Sequence, residues 1–238
     1  MRVSRFPDPR EAGEEGIVAV GGDLDVETLV DAYTHGIFPW PQEGLPMLWF
    51  SPKERGVIDL REELRASASF LRRLRAWKFE SLGHPGRLEV RIDTAFADVM
   101  RACQAASRPG QNGTWILPEM VEAYERLHRA GLAHSVETYL DGELVGGLYG
   151  VFVRGVFSGE SMFHKVADAG KVALWTLLEL QKKAGFLFID VQMVTPVVAS
   201  FGGKLISRDD YLKELELAHD RWDRKVCRFE WVKGPVLP

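Results

Sequence analysis

Cysteine is almost absent. The 238-residue chain holds only Cys103 and Cys227, with no Cys-x-x-Cys pair, so neither a disulfide framework nor a zinc ribbon is supported. The six His are scattered and no His-Glu-x-x-His occurs, which excludes that type of metallohydrolase helix. No apolar run approaches the ~20 residues of a membrane helix. Cations are not in excess either: the net charge is −4, so any nucleic-acid contact must come from a local basic patch. The opening Met1-Arg-Val-Ser-Arg-Phe-Pro lacks an apolar h-region. No secretory signal is therefore expected, and a reducing, cytoplasmic setting is. Repeats and low-complexity tracts are also missing. With 46% hydrophobic and 27% charged residues, the chain reads as ordinary globular material of one large domain with a small extension.

Aromatic side chains are plentiful. Seven Trp and thirteen Phe supply core volume and can line an apolar pocket. Residues 1–60 are rich in Gly and Pro and read as a small N-terminal domain. An apolar run ends at Gly21-Gly22, and Asp25 reads as a helix N-cap with Thr28 at N3. A helix over 26–34 carries Leu29, Val30 and Tyr33 on one face, and Gly36 stops it. Ile37-Phe-Pro-Trp-Pro41 reads as a rigid aromatic loop, and a strand returns at 48–52. Residues 61–87 read as a basic helical linker, with a helical run spanning 60–78.

From residue 88 to 238 the pattern is that of one α/β domain. A strand over 88–92 precedes a helix over 94–106, a loop over 109–113, and a helix from Pro118 to Ala130 with its proline at N1. Strands over 135–140 and 143–153 are joined by Asp141-Gly142, a strong hairpin signal. A third strand covers 156–163. A long helix over 167–184, a strand over 186–192, a short helix over 196–201, a strand over 204–207 and a helix over 208–218 follow. Helix pair, β-meander, helix, strand, helix, strand is the order of an N-acetyltransferase-like mixed sheet, an α/β (α+β) fold.

Asp190 and Gln192 stand two apart in a strand flanked by Phe186, Leu187, Phe188 and Ile189, and alternation predicts a shared face. A carboxylate in such an interior strand is costly unless paired. It is either a structural Asp bridging to a turn or a functional group. Glu160, within Ser158-Gly-Glu-Ser-Met-Phe163, is expected to share its face with Ser158 and Met162. Together these residues suggest a polar floor beside an apolar pocket. The 60–78 run carries Arg61, Arg65, Arg72, Arg73, Arg75 and Lys78 against Glu62 and Glu63. It reads as a patch tracking nucleic-acid phosphates or as a solvated helix face, and the clustering in a mildly acidic chain favours the patch. Arg221, Arg224, Lys225 and Arg228 form a weaker second patch.

The order of short motifs resembles the leucyl/phenylalanyl-tRNA–protein transferases. They run through Gly21-Gly-Asp-Leu24, Gly36-Ile-Phe-Pro-Trp40, Trp49-Phe-Ser-Pro52, Gly113-Thr-Trp-Ile116 and His134-Ser-Val-Glu137. They continue through Leu144-Val-Gly-Gly-Leu-Tyr-Gly150, Gly159-Glu-Ser-Met-Phe163, Ile189-Asp-Val-Gln192 and Arg208-Asp-Asp-Tyr-Leu212. The resemblance covers nearly the whole chain. It implies transfer of Leu or Phe, less often Met, from aminoacyl-tRNA to proteins with N-terminal Arg or Lys, as a tag for N-end rule degradation, with no cofactor or metal. It also implies that Asp190 and Gln192 assist the acceptor amine and that Glu160 orients the amine or the aminoacyl-adenosine. Trp49, Trp115, Leu148, Met162, Leu177 and Ile189 would surround the aminoacyl side chain and adenosine, although plain core packing is the simpler reading of each apolar residue. Arg72, Arg73, Arg75 and Lys78 would bind tRNA. Four positions depart from the family pattern. Val191 replaces a Cys, Val197 a His and Gly170 a Ser, and Leu148 stands where Met is common.

The chemistry asks little of the enzyme. An aminoacyl ester is already activated, and a free α-amino group with a pKa of ~7.7–8 is partly neutral near pH 7. Placement and the loss of one proton are the remaining tasks. Two rival readings are a CoA-dependent N-acyltransferase and a non-catalytic RNA-binding protein. The first lacks its pyrophosphate turn in His164-Lys-Val-Ala-Asp-Ala-Gly-Lys171. The second leaves Glu160, Asp190 and Gln192 without a purpose.

Overall fold

The computed structural model describes residues 4–42, 44–79, 88–106, 114–227 and 229–237. The expected 109–113 loop lies outside them. A short 3-10 turn at Pro9–Glu11 leads to β1 (Ile17–Val20), α1 (Val26–Thr34), β2 (Phe38–Pro39) and β3 (Leu48–Phe50). Strand β4 (Glu54–Asp59) and helix α2 (Ala68–Phe79) follow. Then come β5 (Leu88–Ile92), α3 (Phe96–Ala105), α4 (Pro118–Arg129), β6 (Ala133–Leu140), β7 (Glu143–Val153) and β8 (Val156–His164). Helix α5 (Ala169–Lys183), β9 (Phe188–Gln192), α6 (Pro196–Ser200), β10 (Lys204–Ser207), α7 (Arg208–Asp223) and β11 (Gly234–Leu237) complete the described order.

Two sheets result. A small N-terminal sheet has the order β1-β3-β2, and a large mixed sheet the order β10-β4-β9-β8-β7-β6-β5-β11. Every neighbouring pair in the large sheet is antiparallel except β8 and β9, which α5 connects in parallel. The hairpin at Asp141-Gly142 forms as expected, both residues taking positive φ as a tight two-residue turn demands. Strands β4 and β11 were not legible in the sequence. Strand β4 opens on Glu-Arg-Gly and alternates poorly, and β11 contains Pro235. Because β4 sits inside the large sheet, between β10 and β9, the expected boundary at residue 60 falls after a strand that the large sheet already owns.

The sheet is covered on both faces. Phe70 and Leu74 of α2 and Val172, Leu177 and Leu178 of α5 share one core with Val90, Val136, Leu148 and Ile189. Leu29 of α1, Val99 of α3 and Met120 and Tyr124 of α4 share the other with Tyr149, Val151 and Phe163. Each such fully buried side chain stabilises the fold by about 1.5–3 kcal/mol. Helix α5 presses closely on β7: a Cβ added at Gly146 would lie 2.6 Å from the Ala169 carbonyl carbon. The His134-Ser-Val-Glu137 motif has a structural use. Glu137 accepts hydrogen bonds from the Thr94 and Ala95 amides at the start of α3, meeting two of the donors a helix start leaves open. The cap of α1 differs from expectation. Asp25 makes no side-chain cap bond, and Asp23 instead accepts from the Asp25 amide and the Thr28 hydroxyl.

Candidate functional site

Strands β8 and β9 pair only at Phe157↔Ile189 and Ser158↔Asp190. Both strands are irregular just beyond. Opposite β7, Gly159 pairs with Gly150 and Ser161 with Tyr149, leaving Glu160 as an extra residue. Opposite β4, Asp190 pairs with Val57 and Gln192 with Gly56, leaving Val191 extra. Gln192 then turns into the left-handed region at φ 51. Such bulges re-aim side chains, and here two of them flank one cleft. Its cavity, about 300 Å³, has walls that include Phe38, Trp40, Trp115, Leu148, Met162, Leu177, Ile189 and Val191, with Glu160, Ser161, Gln192 and Thr195 as its polar members.

Asp190 does not lie in that lining. Its carboxylate turns to the opposite side and is fully buried. Oδ1 accepts from Arg55 Nε at 2.8 Å and from the Gln192 amide at 3.0 Å. Oδ2 accepts from Arg55 Nη2 at 2.7 Å, Tyr211 at 3.0 Å and Ser158 at 3.1 Å. The expectation that Asp190 and Gln192 share a face is therefore corrected. The bulge and the left-handed turn send the Gln192 side chain to the cavity while Asp190 holds its backbone. Val191, expected on the far face, lines the cavity instead.

Glu160 is partly buried. Oε1 accepts from Tyr33 at 2.8 Å and from Gln192 Nε2 at 3.2 Å, and Oε2 accepts from Tyr124 at 3.2 Å. Burial, above all, pushes its carboxyl up to about 7, assisted by the Asp190 charge and opposed by the Tyr33 and Tyr124 hydrogen bonds and by Arg55. The bulge turns Glu160 toward Tyr33 and Tyr124, whereas Met162 packs with the other core, so the two do not share a strand face although both line the cavity.

Of the expected pocket residues, Trp115, Leu148, Met162, Leu177 and Ile189 line the cavity. Trp49 does not. It is buried in the N-terminal core and donates to the Gly21 carbonyl at 2.8 Å, because β3 turns it toward β1. Trp40 takes the place at the cavity, stacked on Trp115 with ring centroids 5.4 Å apart. Arg55 went unnoticed in the sequence. Its guanidinium lies 4.5 Å from the ring centres of both Phe38 and Tyr211 and donates to the Gly36 carbonyl at 3.1 Å. The signal for Arg55 was slight: one cation in a short strand that alternates poorly.

The basic run divides. Arg72 and Arg75 on α2 are exposed. Arg73 is paired with Asp168, which also binds Lys171 at 2.9 Å, and Arg61 is engaged by Asp59 and Glu214. The side chain of Lys78 lies outside the described residues. In the second patch, Arg221 donates to the Gly185 carbonyl, Arg224 pairs with Asp220, and Arg228 lies outside the described residues.

Comparison with known proteins decides the lineage. The family model for leucyl/phenylalanyl-tRNA protein transferase matches residues 57–216, and that family's N-terminal domain model matches residues 22–53. The chain belongs to this family. A leucyl/phenylalanyl-tRNA–protein transferase of Nitratidesulfovibrio vulgaris strain DP4 is 50% identical, over 87% of this chain and 84% of its own length. One from Anaeromyxobacter sp. strain Fw109-5 is 47% identical, over 92% and 89%. Among solved structures, the chain is similar to L-PGS from Bacillus licheniformis at 14% identity and a TM-score of 0.38, covering 70% of this chain and 50% of that one. The activity is that of a leucyl/phenylalanyl-tRNA–protein transferase, with Leu- or Phe-tRNA as donor and a protein as acceptor, and the family implies a role in N-end rule degradation. Within the transferase's described residues, no helix is long and apolar enough to cross a membrane.

Proposed function

We propose that the cavity between β8 and β9 receives the leucyl or phenylalanyl group, less often methionyl, with the terminal adenosine against Trp40 and Trp115, and that Glu160 and Gln192 receive the α-amine of an acceptor beginning with Arg or Lys. One observation carries this reading: a carboxylate and an amide are aimed by two bulges into a largely apolar cavity, whose other polar side chains are Ser161 and Thr195. Gln192 gives its Nε2 to Glu160, which leaves its carbonyl oxygen to accept from the incoming amine. The neutral amine attacks the ester carbonyl, and the ribose hydroxyl leaves. Asp190 acts at one remove, by fixing the Gln192 backbone.

Apolar walls suit Leu and Phe, and the negative charge available at Glu160 suits a cationic acceptor terminus. Arg72 and Arg75 carry tRNA phosphates. The single parallel pair at the cleft and the meander before it support an N-acetyltransferase-like arrangement, and a reducing cytoplasm suits a chain with two buried free cysteines. The test is transfer of labelled Leu from Leu-tRNA to a peptide beginning with Arg beside one beginning with Ala. Transfer to the Arg peptide alone is expected. Equal transfer to both would remove the acceptor rule.

A further inference from the structure

Three polar contacts close a triangle behind the cavity. Tyr33 on α1 meets Glu160 Oε1 at 2.8 Å, Tyr124 on α4 meets Oε2 at 3.2 Å, and the two phenol oxygens are hydrogen-bonded to each other. Each edge of the triangle needs one hydrogen, and the two phenols bring only two. With Glu160 ionised, one edge is left as two oxygens facing each other with no hydrogen between them. With Glu160 protonated, three hydrogens fill three edges and the ring closes. Both phenols are buried, so the missing hydrogen matters.

We propose that the Glu160–Tyr33–Tyr124 triangle is the proton acceptor of the transfer reaction, taking one proton from the acceptor's α-ammonium as its hydrogen-bond ring closes. This rests on the reading that Glu160 receives the acceptor amine. The step balances. The ammonium gives a proton to the Glu160 carboxylate and keeps the electron pair on nitrogen. That pair attacks the ester carbonyl carbon, a C–N bond forms, and the C–O bond to the ribose breaks with its electrons on oxygen. The ribose oxygen takes the second nitrogen proton. Amide, tRNA hydroxyl and protonated Glu160 result, and Glu160 later releases its proton to water.

The surroundings suit the task. Asp190 on β9 favours the protonated form, whereas Arg55 on β4 and the two phenol donors oppose it. Gln192 on β9 donates to the same carboxylate. Tyr149 on β7 packs edge-on against Tyr124, with ring centroids 5.8 Å apart. Burial above all brings the carboxyl to about 7, close to the ~7.7–8 of an α-amine, so proton transfer between them is nearly balanced.

The test is the pH profile of kcat/KM for an Arg-initiated peptide. A bell is expected for the wild type, rising as Glu160 ionises near 7 and falling as the ammonium is lost near ~8. Glu160→Gln should convert the bell into a slower, single rise through the amine's own pKa. Tyr33→Phe should move the rising limb up by roughly one pH unit, because the carboxylate loses a charge-assisted donor, with Leu-tRNA binding intact. A wild-type profile with the single rise of Glu160→Gln would overturn the proposal, and so would a rising limb that Tyr33→Phe leaves in place. Carbon NMR of carboxyl-labelled glutamate in the free enzyme decides independently of any acceptor. The resonance absent in Glu160→Gln should titrate near 7, and a midpoint at the ordinary ~4.3 would sink the idea. No transfer at any pH to the Arg peptide, with Leu-tRNA bound, would count against the acceptor reading and leave this titration to judge the triangle.

Discussion

Arg55 and Asp190 meet as a two-bonded ion pair, Nε to Oδ1 at 2.8 Å and Nη2 to Oδ2 at 2.7 Å, with side chains 1% and 0% exposed. Neither lines the cavity, yet the pair joins two of its walls, Phe38 and Gln192. Arg55 holds the Gly36 carbonyl and packs on Phe38, and Asp190 holds the Gln192 amide. Removing one partner of a buried pair strands the other's charge. Arg55→Met is therefore expected to cost about 3–5 kcal/mol of stability in urea unfolding. Asp190→Asn, which keeps the shape, should lower kcat by about a hundredfold through misplacement of Gln192, with tRNA affinity little changed. Equal turnover of wild type and Asp190→Asn would remove Asp190 from the mechanism.

The two tryptophans of the aromatic loop and the following strand should separate cleanly. Trp40→Ala removes a ring stacked on Trp115 at the cavity. It should raise KM for Leu-tRNA by roughly tenfold, the scale of an aromatic pair plus lost area. Trp49→Phe should lower the melting temperature and lose the bond to Gly21, while activity per folded molecule stays near wild type. Steady-state kinetics beside thermal unfolding tells the two apart.

Glu160 makes stability depend on pH. Its folded carboxyl titrates at about 7 and its unfolded one at ~4.3. Between those values the folded state binds the extra proton, so stability relative to Glu160→Gln falls as pH rises through this window and levels off above it. The full difference is on the order of 4 kcal/mol. Urea midpoints of both proteins from pH 4.5 to 8 measure it, and parallel curves would refute the raised pKa.

Arg72 and Arg75 are exposed on α2, whereas Arg73 is held by Asp168. Replacing both Arg72 and Arg75 by Ala should make the log–log salt dependence of tRNA binding shallower by about one to two units, one phosphate for each arginine. Arg73→Ala should change the slope less. An unchanged slope in the double variant would place the tRNA elsewhere.

Gly146→Ala should destabilise strongly for a single methyl. The added carbon would sit 2.6 Å from backbone of Ala169, which can yield only by moving the start of α5 off the sheet. A cost of about 1–3 kcal/mol is expected, and the shift would also displace Met162 at the cavity, so KM for Leu-tRNA should rise with it. A stability equal to wild type would mean that α5 is free to move.

The sequence by itself determined most of the elements, though not β4 or β11, and most of the cavity. The apolar run of 143–153, the Asp141-Gly142 turn and the helical faces of α1 and α3 are local signals, because hydrophobic pattern and turn chemistry act between near neighbours. The ordered motifs pointed to the family, and with it to Glu160, Gln192 and the walls at Trp115, Leu148, Met162, Leu177 and Ile189. Tertiary structure alone decided which way the polar groups face. Whether Asp190 or Val191 meets the cavity depends on one extra residue in a ladder, and alternation counted along the chain cannot register a bulge set by the partner strand. A second bulge likewise turns Glu160 toward Tyr33 and Tyr124, away from the core that holds Met162. Arg55, Tyr33 and Tyr124 stand 135, 127 and 36 residues from the carboxylates they bind, so only the packing of α1, α4 and β4 around β8 and β9 could bring them to the site.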